Sequence, residues 1–73
     1  MDDKYEAWLV DVIANENPLA DTIIWAASRE EAIAKAEEWA QAKCQEVGPS
    51  LLIVKRPGEP GGIHSKLFDP LNP

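Results

Sequence analysis

One segment of this chain carries both the start signal and the stop signal of a helix. Ser28 and Glu31 have the spacing of a capping box, in which the serine hydroxyl accepts from the amide three residues on and the glutamate reaches back to the serine amide. Gly48-Pro49 ends such a helix, because glycine tolerates a left-handed conformation and proline cannot continue it. We predict a helix over residues 29–47 whose apolar stripe is formed by Ile33, Ala36, Ala40, Cys44 and Val47.

Three β-rich segments flank this helix, over residues 5–14, 21–27 and 50–56. A turn signal at 15–18 separates the first two, so we expect them to pair as an antiparallel hairpin. The crossover through the helix then favours the strand order 2-1-3. The predicted fold is a single α+β domain of ββαβ order, a three-stranded antiparallel sheet with one helix packed on one face.

The composition changes after residue 56. Residues 57–62, PGEPGG, carry almost no side chain that could pack, and their glycines and prolines indicate turns or flexibility. Residues 63–73 regain Ile63, Leu67 and Phe68, but Pro70 argues against a helix there. We therefore predict a folded domain over residues 1–56, followed over 57–73 by a Pro/Gly linker and a flexible C-terminal arm.

One helix can cover only one face of the predicted sheet, so the other face should be left bare. On the first strand, Trp8, Val10 and Val12 form an uninterrupted apolar face, which we assign to the layer under the helix. The bare face is then still apolar, and exposed apolar patches of this kind often mark interfaces. It is expected to take Leu9 and Ile13, one of Ile23 and Ile24, and one of Leu52 and Ile53. Its occupant is a second copy of the chain, the arm folded back, or a foreign partner.

The charge balance narrows the class of partner. The chain has 13 acidic and 7 basic residues and a net charge of −6, which repels nucleic-acid phosphates and anionic membranes alike. The excess lies in residues 1–46, with eleven acidic and four basic residues. We expect no general nucleic-acid binding and no membrane binding, and we expect a protein partner or self-association.

The residues offer little for catalysis or metal binding. His64 follows a double glycine, where its position would be poorly fixed, and Cys44 lies on the apolar stripe of the helix. A single cysteine with a single histidine cannot supply the ligands of a zinc site. We predict no catalytic residues, no metal and no cofactor.

The start of the chain bears on its compartment. Residues 1–4 are acidic and polar, unlike the basic and then apolar start of a signal peptide. No apolar run approaches the ~20 residues that cross a bilayer. A lone cysteine also suits a reducing compartment. We expect a cytoplasmic protein.

These expectations favour a small, acidic, non-catalytic protein-binding module of inhibitor or adaptor type. A structural or regulatory homodimer that associates through the uncovered sheet face is the alternative, and a small enzyme is a remote one. The candidate partner-binding residues combine the bare face with the acidic side of the helix. They are Leu9, Asp11, Ile13, Glu31, Glu38 and Trp39.

Overall fold

A computed structural model describes residues 2–13 and 17–71. Within these residues the chain forms four strands and one helix. In chain order they are β1 (Asp3–Asp11), β2 (Pro18–Ala26), α1 (Arg29–Val47), β3 (Ser50–Lys55) and β4 (Gly62–Phe68). The strands build a single antiparallel sheet in the order β2-β1-β3-β4. The predicted α+β class and the helix bounds are confirmed, whereas the predicted turn at Asn15 and Glu16 lies outside the described residues.

The fourth strand corrects the predicted three-stranded sheet with a flexible arm. β4 pairs antiparallel with β3, from Ser50 opposite Phe68 to Val54 opposite His64. The Pro/Gly segment between them is a hairpin connection, in which the Glu59 amide donates to the Arg56 carbonyl (3.1 Å) and Gly58 has a φ of 87°. The predicted order 2-1-3 is therefore kept, and β4 is added to it at the edge of β3. The division into a domain over 1–56 and an arm over 57–73 stays a prediction about folding units.

The predicted cap fixes the start of α1. The Glu31 amide donates to the Ser28 hydroxyl at 3.1 Å, as the capping box requires. The Glu31 carboxylate reaches one residue further back than predicted and accepts from the Ala27 amide at 2.8 Å. At the other end Gly48 has a φ of 87° and donates its amide to the Cys44 carbonyl at 2.8 Å. Both ends of the helix are thus closed by the residues that the sequence singles out.

The helix packs on the face of the sheet that carries the odd-numbered residues of β1. Its buried stripe is made of small side chains, and the sheet residues that face it include Ala7 and Ala26, which are also fully buried. Small residues on both sides let the helix backbone approach the sheet closely. The core cluster consists of Tyr5, Ala7, Leu9, Ile24, Ala26, Ala32, Ala36, Ala40, Cys44, Leu52, Val54 and Phe68.

This placement shows that the assignment of faces from the sequence is wrong. Trp8 and Val10 lie on the face opposite the helix, and Val12 follows the end of β1 with 39% of its surface exposed. Leu9, which was expected on the bare face, has no exposed surface and lies in the core cluster with α1. The physical reason is size, because a tryptophan beneath the alanine stripe would hold the helix away from the sheet.

Polar contacts tie the helix to both sides of the sheet. On one side the Lys35 ammonium donates to the Trp25 carbonyl of β2 at 2.7 Å. On the other, Glu37 contacts β4 through His64 (Nε2 to Oε2, 2.8 Å) and Lys66 (Nζ to Oε1, 3.9 Å). The helix is thereby held over the width of the sheet, and the predicted arm is anchored to it.

Candidate interaction surface

The face of the sheet opposite α1, here called the open face, is the candidate site. Each strand places alternate side chains on it, in rows set by the strand register. None of the helices or strands in the described residues lies over it. Its members are Lys4, Glu6, Trp8 and Val10 of β1, Asp21, Ile23 and Trp25 of β2, Leu51, Ile53 and Lys55 of β3, and Ser65 and Leu67 of β4.

Large apolar side chains on the open face are exposed to solvent. Trp25 and Leu67 expose 55% and 66% of their surface, and Ile23 exposes 44%. Trp8 and Ile53, at the centre, are half-buried by their neighbours alone. A small protein that leaves such residues in contact along one face gains free energy when another surface covers them.

Shallow hollows indent this face. One, of about 350 Å³, is lined by Trp8, Val10, Pro18, Ile53 and Lys55. Another, of about 460 Å³, lies over β3 and β4, where Leu51 and Ile53 meet Gly62–Ser65. Both are wide and open, so they suit the side chains of a facing protein better than a small molecule, which normally needs an enclosing cleft.

The open face is electrically balanced. Lys4 and Lys55 match Glu6 and Asp21, so the four charged side chains sum to zero although the chain as a whole carries −6. Glu6 and Lys55 are direct partners across β1 and β3. The Lys55 ammonium also lies 6.0 Å from the centre of the Trp8 ring, within the range of a cation–π contact. The face is apolar at its centre, with compensated charge around it.

The indole N–H of Trp8 is a polar group that the described part of the chain leaves without a hydrogen-bond partner. The nitrogen is buried, and no acceptor among residues 2–13 and 17–71 reaches it. Native structures contain few such groups, and each calls for a specific explanation. Because the chain's own atoms cover this nitrogen, a molecule docked on the open face could reach it only after a shift of the Trp8 side chain.

Three of the residues predicted to bind a partner come from β1 and the segment after it. Leu9 lies beneath the helix. Ile13 is 92% exposed beyond the end of β1, where its amide donates to the Asp11 carboxylate at 2.8 Å. Asp11 and Ile13 are therefore brought together at one end of the sheet, away from the centre of the open face.

The other three predicted residues lie on α1. The Glu31 carboxylate is engaged in the helix cap and lies 3.3 Å from the Lys35 ammonium. Glu38 is exposed, and Trp39 is half-buried against the core cluster. These three share no surface with Ile13, so the predicted set does not converge on one site. A role of these residues in binding stays a prediction.

Sequence reasoning missed most of the open face. Ile23 and Ile53 were named as one of two alternatives each, and the structure selects them. Trp8 was assigned to the wrong face, Trp25 was left without a face, and Leu67 was placed in an arm. The signal that could have found them is the alanine stripe of the helix, since a tryptophan directly beneath it would hold the helix away from the sheet.

The chemically reactive side chains lie elsewhere. Cys44 is fully buried in the core, and its thiol lies 3.3 Å from the Gln41 carbonyl. His64 is fixed by Glu37 in the layer between β4 and α1, contrary to the expectation of a poorly positioned residue. In the described residues no group of three or more His, Cys, Asp or Glu side chains could hold a metal ion.

One carboxyl group has a shifted pKa. The hydrogen bond from the Ala27 amide, together with the hydrogen bond and positive charge of Lys35, holds the pKa of Glu31 below its ordinary value. The carboxylate form is thus favoured in the folded state. This shift belongs to the helix cap and not to the open face.

Comparisons with known proteins add no relative. Neither the models of protein families, nor the curated proteins, nor the solved structures give a match to this chain. Separately, the part of the chain that the structure describes contains no helix that is long and apolar enough to cross a membrane.

Proposed function

We propose that this chain is a non-catalytic protein-binding module of inhibitor or adaptor type, acting in the cytoplasm, and that the open face is its binding surface. The observation that carries the proposal is the exposure of Ile23, Trp25 and Leu67 on a sheet whose other face is closed by the helix. A chain this small needs its apolar residues for its own core. Large side chains kept outside that core are best explained by a contact with another protein.

The shape and charge of the surface support the same proposal. The hollows are wide and shallow, as in protein interfaces, and tryptophans are enriched among the residues that dominate binding energy. The acidic excess of the chain lies outside the open face. Such a surround attracts basic proteins and repels acidic ones, so the rate of association should depend on salt while the buried contact itself changes little.

Affinity capture from extracts of the source cells, with three matched baits, tests the proposal. The baits are the wild-type chain, Ile23→Lys on the open face, and Ile13→Lys, which makes the same change at an exposed position off that face. We expect a protein to be retained by the wild type and by Ile13→Lys and to be lost with Ile23→Lys. Copies of the bait's own sequence are scored separately.

Equal retention of every captured protein by all three folded baits would contradict the proposal, since the open face would then play no part. Loss of retention with Ile13→Lys but not with Ile23→Lys would move the binding surface to the end of β1. Circular dichroism of each bait establishes that it is folded before the comparison is made.

A further inference from the structure

We propose that the occupant of the open face is a second copy of this chain, packed face to face about a two-fold axis that runs along the strands between β1 and β3. The inference rests on the proposed function, because it names the partner of the same surface. It follows from the charge, the register and the position of the acidic residues.

The open face carries no net charge, although the chain as a whole is acidic. Two copies of a chain with a net charge of −6 repel each other at most orientations. On the open face, however, Lys4 and Lys55 offset Glu6 and Asp21. Contact through this face therefore brings together two surfaces without net charge, so the repulsion at short range is weaker there than at an acidic face.

The strand register places opposite charges side by side on the open face. Glu6 and Lys55 stand in the same row, one on β1 and the other on β3. A two-fold axis parallel to the strands and midway between them exchanges β1 with β3. Glu6 of each copy then faces Lys55 of the other, so one operation creates two complementary contacts. Sheets that pack face to face with their strands nearly aligned are common in proteins.

The same operation matches the apolar rows. Trp8 is paired with Ile53, and Val10 with Leu51, across the two central strands. The exchange of β1 and β3 places Trp8 of one copy opposite Ile53 of the other, and Val10 opposite Leu51. Each Trp8 thus meets a smaller side chain, so the two faces can interdigitate without two tryptophans placed directly against each other.

The face-to-face arrangement also keeps the two acidic helices far apart. In this arrangement each α1 lies on the outside, so the two helices are separated by three layers of about 10 Å each, or about 30 Å. Their glutamates are then well beyond the Debye length of about 8 Å at physiological salt. Edge-to-edge pairing of two β4 strands would bring the helices closer together.

The open face offers only a small area for contact. Four strands about 4.8 Å apart, with about six residues of each in the paired block, give on the order of 400 Å² of flat area per copy. A pair buries about 800 Å², which is less than stable specific interfaces bury and falls in the range of weak, transient contacts. We therefore expect a reversible dimer that dissociates on dilution through the micromolar range.

Charge exchange between two single variants tests the arrangement. Glu6→Lys alone places a second positive charge against Lys55 in both contacts, and Lys55→Glu alone places two carboxylates together. Each variant should dimerise about tenfold more weakly than the wild type, or worse. An equimolar mixture of the two restores both contacts, so heterodimers should form at wild-type strength. Sedimentation equilibrium and native mass spectrometry measure these species.

Matched controls separate the contact from net charge. Glu46→Lys and Lys43→Glu make the same charge changes at a neighbouring pair on α1, away from the open face, and should dimerise like the wild type. Glu6 and Lys55 also neighbour each other within one sheet, but mixing cannot repair that internal contact, so rescue on mixing reports the contact between copies. If either variant fails to fold, Ile53→Lys, which puts a charge at the centre of the face, should abolish the dimer.

Several results would overturn the inference. They are a wild-type chain that stays monomeric at several hundred micromolar, a dimer whose dissociation constant is unchanged in both single variants, and a mixture that shows no heterodimer. A monomeric wild type that still captures a protein through Ile23 would leave the proposed function standing with a foreign partner. A dimer with no other protein captured would restrict the open face to self-association.

Discussion

The face of the sheet under α1 and the open face are both apolar, but only the first is sealed from solvent. Alanines of the helix meet Ala7 and Ala26 on the covered face, and the layer between them is sealed. On the open face Trp8 and Trp25 stand beside isoleucines and leucines that remain partly in solvent. The buried residues stabilise the fold of the single chain, and the exposed residues of the open face are available for contact with another. The covered face therefore stabilises the monomer, and the open face is left for binding.

Truncation of one apolar side chain on each face should give the largest difference in stability between the two faces. Leu9→Ala empties a fully buried site, so it should lower the free energy of unfolding by about 2–5 kcal/mol. Ile23→Ala removes a side chain that is 44% exposed and should cost less than about 1 kcal/mol. Urea unfolding at low protein concentration, where any dimer is dissociated, measures both. Equal losses would mean that the two faces contribute alike to the monomer.

Enlargement of the alanine stripe tests the close approach of helix and sheet. Ala40→Leu adds volume where nothing is exposed, so it should destabilise the chain by about 1–3 kcal/mol. Ala42→Leu is the matched control, because Ala42 lies on the exposed side of the same helix and should change stability by less than about 0.5 kcal/mol. Thermal unfolding of the two variants gives the difference. A neutral Ala40→Leu would show room for larger residues in the covered layer.

Removal of the helix cap should have a smaller effect. Ser28→Ala takes away the hydroxyl that accepts from the Glu31 amide, and loss of such a cap costs about 1 kcal/mol. Ser28→Asp retains an acceptor and should preserve most of the stability. Because the cap fixes the helix over the covered face, amides in the first turn of α1 should exchange hydrogen faster in Ser28→Ala. Unchanged exchange rates would show that packing alone holds the first turn of the helix in place.

The smallest expected effect depends on pH. Since the pKa of Glu31 is lowered in the folded state, its carboxylate stabilises the chain fully above the ordinary carboxyl pKa. That contribution is lost as the pH falls through the lowered value. The stability difference between wild type and Glu31→Gln should therefore be largest near neutral pH and vanish in acid. A difference that grows on acidification would reverse the sign of the linkage.

The helix could be predicted from the sequence to its bounds because its signals are local. Ser28, Glu31 and Gly48 act through hydrogen bonds within their own few residues. β4 could not be recognised in the same way. The pairing of Gly62–Phe68 depends on an edge that β3 offers, and the sequence between them resembles a linker until that edge is known.

The two faces of the sheet were harder to predict from the sequence than its strands. Alternation tells which residues of β1 share a face, but Tyr5, Ala7 and Leu9 are as apolar as Trp8 and Val10, so periodicity alone cannot choose between them. The choice follows from the size of the residues on a different element, the alanines of α1. The candidate surface was therefore predicted in kind, as an apolar sheet face, and only partly in its residues.

Hydroxyl-radical footprinting over a dilution series tests most directly whether the open face is the contact surface. Trp25 and Leu67 report on that face, and Ile13, exposed at the end of β1, serves as the internal reference. We expect oxidation of Trp25 and Leu67 to fall as the protein concentration rises from below one micromolar to several hundred micromolar, while Ile13 is modified at a constant rate. Equal reactivity of all three at every concentration, with a constant monomer mass, would contradict the account.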